Sequence, residues 1–412
     1  MQQDTNDVAS QVRAQPVGRA VAALIYAIFA GLVGLILYKF DLPLVDTLDR
    51  HLGDLRIAYG SPVAKAQRSD IAVVLVTEDT LLDYESRSPI DRRLLAELVG
   101  AVDAAGPKAI GLDFIFDRKT RHDAALIEAL RQTKAPLVVG AIDQRVQDLR
   151  AESLAFQSAF LKAVGKPFGH LMLGRKEGLM AANDSVVRYV AQPMAQGRTA
   201  AGQTPNDTKP TRALSDALAV AAGLPTSAAV PTIAWLRAPD DRTPLFLTLA
   251  VPRHAADAVK PKLDGIFLPS WRELLKGRIV LIGATMVDRD RHITPLSAID
   301  HATTAGIYIH AQALAQRLDG NRDIRRLPDW LIGLAASLVA LSCFWAARLA
   351  GFQPTSFVYG LVGLVIIGFI STGAYTFFRI DFPSIALATA WAMGGIGGFF
   401  SSWGFNKWGL AA

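Results

Sequence analysis

Cysteine is almost missing from this chain: of 412 residues, only Cys343 carries a thiol. It falls inside an apolar stretch, so no disulfide can brace a soluble part, whose stability must come from its hydrophobic core. Runs of lysine and arginine are missing as well. The 43 basic and 37 acidic residues leave a formal charge of +6, too mild and scattered for a nucleic-acid surface. Enzyme signatures are equally scarce. The GAT at Gly283–Thr285 lacks the lysine and spacing of a phosphate loop, and neither a G-x-S-x-G elbow nor an H-E-x-x-H pair occurs. These gaps point away from catalysis, a resident cofactor and nucleic acid.

Long apolar stretches are what the chain has in plenty. Four reach the roughly 20 residues that a ~30 Å hydrocarbon core requires: residues 17–38, 330–347, 356–378 and 382–404. The first also has the arginine-flanked apolar core of a signal peptide, but it is long and lacks a small-residue cleavage site. Trp330 and Trp408 sit where indole rings favour the headgroup layer. One span at the start and three at the end place residues 39–329 on one side of a bilayer, with tails at 1–16 and 405–412. If the spans alternate, Arg13, Arg19, Arg348 and Lys407 share one side and Arg379 lies on the other. That bias predicts cytoplasmic termini and a periplasmic middle segment in a bacterial inner membrane. No span has an ionisable residue at its centre, which argues against ion or proton transport. In the last span Ala386, Ala390, Gly394 and Gly398 recur every fourth residue. Such a smooth stripe suits membrane-helix packing, against a helix of this chain, a second copy or another protein.

The middle segment reads as alternating strand and helix. Leu44, Leu48, Leu52 and Leu55 fall at helical intervals just after the first span, predicting an amphipathic helix. IAVVLVTED, residues 71–79, has the continuous apolar run of a buried parallel strand. Asp91 is placed to cap a helix, with Ile90 stapled on Leu95 and Leu94, Leu98, Val99 and Val102 on the buried face, until Gly106 and Pro107 stop it. KAIGLDFIF (108–116), a helix from Asp123, PLVVGAI from Pro136 and GRIVLIGAT (277–285) continue the rhythm, and a last helix ends at Gly320. The fold class is α/β, a mainly parallel sheet flanked by helices, joined to a four-helix transmembrane region. Residues 143–265 are less regular, and 195–213 reads as a long polar loop.

These segments resemble the CHASE2 family, an extracytoplasmic sensory domain of bacterial signalling receptors. The resemblance rests on ordered motifs: GDLR at 53–56, IAVVLVTED, SPIDRRLLAELV, GPKAIGLDFIF, LLKGRIVLIGAT, an aspartate four residues before Thr294–Pro295, and AGIYIHAQALAQRL. The family also places three membrane helices directly after this domain. In many relatives a kinase or cyclase then follows. Here the sequence stops a few residues past the last span, which implies either signalling through a separate protein or a piece of a longer receptor.

In open parallel sheets ligands gather outside the carboxyl ends of the strands. The strand ends supply Glu78, Asp79, Asp113, Asp117, the stretch 141–143 and Thr285, and Asp290 and His310 follow the last of them. Together they suit a cation, a cationic ligand or a hydroxyl-rich one; alternatively, Asp113 and His310 are buried residues that fix the turns. Asp288, Asp290 and His292 alternate along one loop, a pattern that a metal site and a solvated loop share. The expectation is a sensor that passes a stimulus through its membrane helices to a protein partner in the membrane or at its cytoplasmic face, with self-association open. The competing reading is a membrane anchor or assembly subunit that uses the domain as a docking platform.

Overall fold

The computed structural model describes residues 3–40, 43–82, 84, 87–142, 150–174, 186–190, 212–226, 232–253, 268–287, 290–320, 324–350 and 354–407. Asp143, Asp288, Trp408 and nearly all of the polar loop expected at 195–213 lie outside them. Two compact units result, one built from Met1–Gly60 and Ile324–Ala412, the other from Ser61–Lys176 and Ser185–Asp323. The chain starts in the first unit with α1 (Gln3–Lys39), whose apolar window is Ala20–Lys39, and α2 (Pro43–Gly60). Pro43 opens α2 at the first helical position, where its missing N–H is no loss.

The second unit is a six-stranded sheet with helices on both faces. Its strands are β1 (Arg68–Thr77), β2 (Ala109–Asp113), β3 (Leu137–Ala141), β4 (Phe168–His170), β5 (Phe246–Ala250) and β6 (Ile279–Thr285). Their order across the sheet is β4-β3-β2-β6-β1-β5, and every neighbouring pair is parallel. Parallel strands need covering on both sides, so β1 sends Ala72, Val74 and Val76 to one core and Ile71, Val73 and Leu75 to the other. The first core is closed by α3 (Arg92–Ala104), α4 (Asp123–Gln132), α5 (Ala151–Val164) and α7 (Leu268–Leu275), the second by α6 (Leu214–Ala221) and α8 (Gly306–Leu318). Asp91 caps α3 as expected, its carboxylate accepting from the backbone N–H groups of Arg93 and Leu94, a contact worth about 1 kcal/mol.

The irregular stretch therefore contains α5, β4, α6 and β5, none of which its periodicity announces. β4 is three residues long, too short for a pattern, and β5 lies at the sheet edge with three of its five residues half-buried. Two strands also end earlier than their apolar runs. β1 gives way at Thr77 to a 3-10 turn over Asp79–Leu81, and β2 stops at Asp113, although Phe114 and Phe116 remain in the core.

Arg68 ties the two chain ends of this unit together. It lies at the start of β1, and Asp319 directly follows α8. Both Asp319 oxygens accept from its guanidinium at 2.9 Å, and Asp70 accepts at 2.6 and 3.0 Å. Burial works against the charge, but the bonds to both aspartates leave the Arg68 pKa above its ordinary value.

The first unit is completed by α9 (Asp329–Ala350), α10 (Pro354–Phe378) and α11 (Ser384–Lys407), which with α1 are the four helices long and apolar enough to cross a membrane. Lys39 pairs with Asp329 at 2.6 Å, joining the end of α1 to the start of α9. At the other end of α9, Arg348 donates to Ser401 of α11 at 3.1 Å. The small-residue stripe of α11 is taken up within the chain, Gly394 and Gly398 against α9 and Ala386 against Gly34 of α1. A β-carbon at Gly394 would lie 2.2 Å from the Ala340 carbonyl oxygen, and one at Gly398 equally close to that of Phe344. Ala386 and Ala390 are fully buried as well. Backbones that near each other tolerate only glycine.

Arg56 of α2, within the GDLR motif, holds the turn between α10 and α11. Its Nη1 donates to the Phe382 carbonyl at 2.6 Å, to Ser371 at 2.8 Å and to Ser384 at 3.4 Å, while Nη2 donates to Asp381 at 2.5 Å.

Gly394→Ala is expected to lower the thermal midpoint of the detergent-solubilised protein by forcing α9 and α11 apart. Gly368→Ala, where an added methyl meets nothing within 4 Å, should leave the midpoint unchanged or raise stability by up to ~1 kcal/mol.

Candidate functional site

The β2–β6 pairing builds the site. Asp113, the last residue of β2, lies opposite Gly283 of β6, and a β-carbon on that glycine would press into Ile307 and Asp113. Asp290 comes after β6 in the chain and before α8. Asp290 takes a left-handed backbone (φ 53°), which aspartate tolerates better than most residues. Its carbonyl accepts from Gly306 N–H at 3.2 Å, and both its carboxylate oxygens would meet a β-carbon on Gly306 at 2.7 Å. The carboxylate thus lies over the first turn of α8, where the helix dipole favours negative charge. One turn on, His310 points into the core beside the sheet, its Nε2 3.9 Å from Asp113 Oδ1.

Two further imidazoles join these three groups. His292 Nε2 is 2.9 Å from Asp290 Oδ1. His170, at the end of β4 and fully buried, acts electrostatically on His310. Burial drives the His310 pKa down to about 4, with Asp290 opposing the shift and His170 and His292 adding to it. Burial also pushes the Asp113 carboxyl well above its usual range, reinforced by Asp290. A separation of 3.9 Å is beyond hydrogen-bond length, and both shifts favour the neutral forms, so Asp113 and His310 form a neutral pair and not a salt bridge.

The remaining expected residues are spread along the same edge. Glu78 is half-buried at the end of β1, where its Oε1 accepts from Val287 N–H at 3.4 Å and faces Arg87 at 3.6 Å. Thr285 ends β6 opposite Thr77, and Asp79 is exposed on the 3-10 turn. Asp117 belongs to another group: it accepts from Arg118 at 3.2 and 3.1 Å and lies in the field of Arg92, a buried guanidinium stacked on Phe116 and bonded to Asp123. The structure therefore brings together Asp113, Asp290 and His310.

Sequence reading missed His170, because a three-residue strand gives no period by which to place it. The Asp290–His292 alternation, in contrast, was visible. Among the described residues no three His, Cys, Asp or Glu side chains converge closely enough to hold a metal ion. What the cluster can do is exchange protons, or meet a polar or cationic group at a strand edge, with a helix dipole and two neutral buried groups behind it.

Residues 21–351 match the CHASE2 domain family, an extracytoplasmic sensory family. No curated protein and no solved structure matches the chain.

The cluster makes stability depend on pH in two opposed ways. An unfolded His310 takes up its proton near pH 6.5 and the folded one only near 4. Between those values the unfolded state binds more protons, so stability falls as pH is lowered, by on the order of 3 kcal/mol over the full window. Asp113 works in the other direction, because its folded carboxyl keeps a proton that the unfolded one releases near pH 4. Its contribution is therefore lost as pH rises through the raised value. Thermal unfolding of the full chain between pH 4 and 7 should show a smaller acid loss for His310→Gln than for the wild type, and a higher midpoint at pH 7 for Asp113→Asn.

Proposed function

The chain belongs to the CHASE2 domain family, and on that premise we propose that it is the sensory component of a bacterial inner-membrane signalling system. Its α/β unit stands in the periplasm, and its output is a separate protein that meets the membrane helices or their cytoplasmic ends. The unit detects and transmits, without catalysis of its own. The sensed change falls on the Asp113–Asp290–His310 cluster, where small shifts in protonation or a bound polar group alter the loop between β6 and α8.

The observation that carries this reading is the tie between Arg68 and Asp319. α2 precedes β1 in the chain and α9 follows α8, so Arg68 and Asp319 stand near the points where the chain leaves α2 and approaches α9. A stimulus that binds two arrangements of the unit with different affinity can act on α2 and α9 through these ends. The orientation is supported by the charge pattern, with Arg348 and Lys407 at the ends of α9 and α11.

A single cysteine at the exposed Asp241, in a Cys343→Ala background, tests the sidedness. A membrane-impermeant maleimide should label it in cells whose outer membrane has been permeabilised and whose inner membrane is intact. Labelling only after lysis would place the unit in the cytoplasm and remove the periplasmic sensor. Purification from the native host in mild detergent, followed by mass spectrometry, then separates sensor from scaffold. A kinase, cyclase or other regulator is the expected companion; constitutive structural envelope proteins alone would support the anchor reading instead.

A further inference from the structure

α2 is built inside out for a helix in water. Its two arginines, Arg50 and Arg56, are turned inward, with Arg50 9% exposed and the Arg56 side chain 10%, Asp49 and Asp54 are half-buried, and His51 is exposed. Ile57 and Ala58 are buried too, while Leu48, Leu52, Leu55 and Tyr59 are 51%, 45%, 45% and 63% exposed. Spacings of four, three and four residues put those four side chains on one narrow stripe along the helix. A soluble surface helix shows the opposite arrangement, with its apolar stripe toward the core and its charges toward solvent. Arginines facing in and leucines facing out suit a helix whose surroundings are apolar.

The contacts of α2 with the bundle fix its depth. Arg56 bonds Ser371 and Ser384, and a β-carbon on Gly60 would touch Tyr375 and Thr376. Ser371, Tyr375 and Thr376 belong to the membrane-length segment Val358–Phe378, and Ser384 to Ser384–Ser402. Ser371 precedes the end of α10 by seven residues, about 10 Å along a helix axis. That depth matches the ~5–10 Å at which interfacial amphipathic helices settle into the headgroup–acyl boundary. α10, against which α2 packs, has an apolar outer surface of its own, with Phe369, Phe377 and Phe378 among the most exposed large side chains of the molecule.

We propose that α2 is an interfacial helix whose Leu48–Leu52–Leu55–Tyr59 face is seated in the lipid boundary at the α10–α11 turn end of the bundle. The proposal rests on reading α1, α9, α10 and α11 as membrane spans. Because α2 feeds β1 directly, the lipid boundary then holds the first element that leads into the sensory unit.

Nitroxide labels placed one at a time at Leu52, Leu55, Phe369 and Asp241 test this, in the full chain carrying Cys343→Ala and reconstituted in phosphatidylethanolamine–phosphatidylglycerol vesicles. Collision rates with oxygen, which concentrates in lipid, are compared with those of a water-soluble nickel chelate. Labels at Leu52, Leu55 and Phe369 should favour oxygen, and the label at Asp241 should favour nickel. Leu55→Cys repeats the readout if Leu52→Cys does not fold. Nickel preference at both α2 sites with oxygen preference at Phe369 overturns the interfacial helix alone, whereas nickel preference at Phe369 as well overturns the spans. Shielding from both reagents, with dipolar broadening between labels on two molecules, also overturns the proposal and identifies the stripe as a seam between copies.

Discussion

A guanidinium among apolar helices has to be met by acceptors on nearly every side, and Arg56 is the group that imposes this requirement. Placing an unmatched arginine in a membrane helix costs about 3 kcal/mol on insertion scales. Here four acceptors from Ser371, Asp381, Phe382 and Ser384 receive it. They come from the end of α10, the turn and the start of α11, so satisfying one side chain fixes where α2 runs. The Phe382 carbonyl lies between the two helices, outside their ladders, and so can accept from Arg56 as a carbonyl in a helix interior could not. A lysine has the charge but lacks the fork that reaches several acceptors at once. The exposed Lys39–Asp329 pair, which joins α1 to α9, is worth at most about 1 kcal/mol.

The sheet imposes a second constraint. Because both its faces are covered, polar groups have room only at strand ends, and β2 beside β6 brings Asp113 close to a helix nearly two hundred residues later in the chain. The cluster combines features seldom found in a purely structural turn: a left-handed aspartate over a helix start, a neutral buried acid and a histidine that resists protonation until about pH 4. Perturbed groups of this kind gather at functional sites, though structural networks also produce them.

Much of this was legible in the sequence, for identifiable reasons. The spans, β1, β6 and the Asp91-capped α3 all carry strong local signals, namely length of apolar run and cap chemistry. Asp113, Asp290 and His310 could be grouped because strand ends of a parallel sheet share one edge. Strand order was not legible, since β6 enters between β1 and β2 only through long-range pairing. His170, the edge strands β4 and β5 and the Arg68–Asp319 tie were hidden for the same reason. The small-residue stripe of α11 was visible, but its partners were not; only packing shows that α9 meets its glycines and α1 meets Ala386. The leucines of α2 were likewise recognised as one face, whereas their outward direction depends on Arg56.

Transmission through the two chain ends of the α/β unit is the central claim, and a distance measured within the membrane-helix unit tests it most directly. Spin labels at His51 of α2 and Trp330 of α9, both exposed, report that distance by pulsed dipolar spectroscopy on the Cys343→Ala full chain in lipid. Releasing the tie with Arg68→Ala or Asp319→Ala should shift or broaden the distance distribution while the α/β unit stays folded. Superimposable distributions in the wild type and both variants would contradict coupling through these ends.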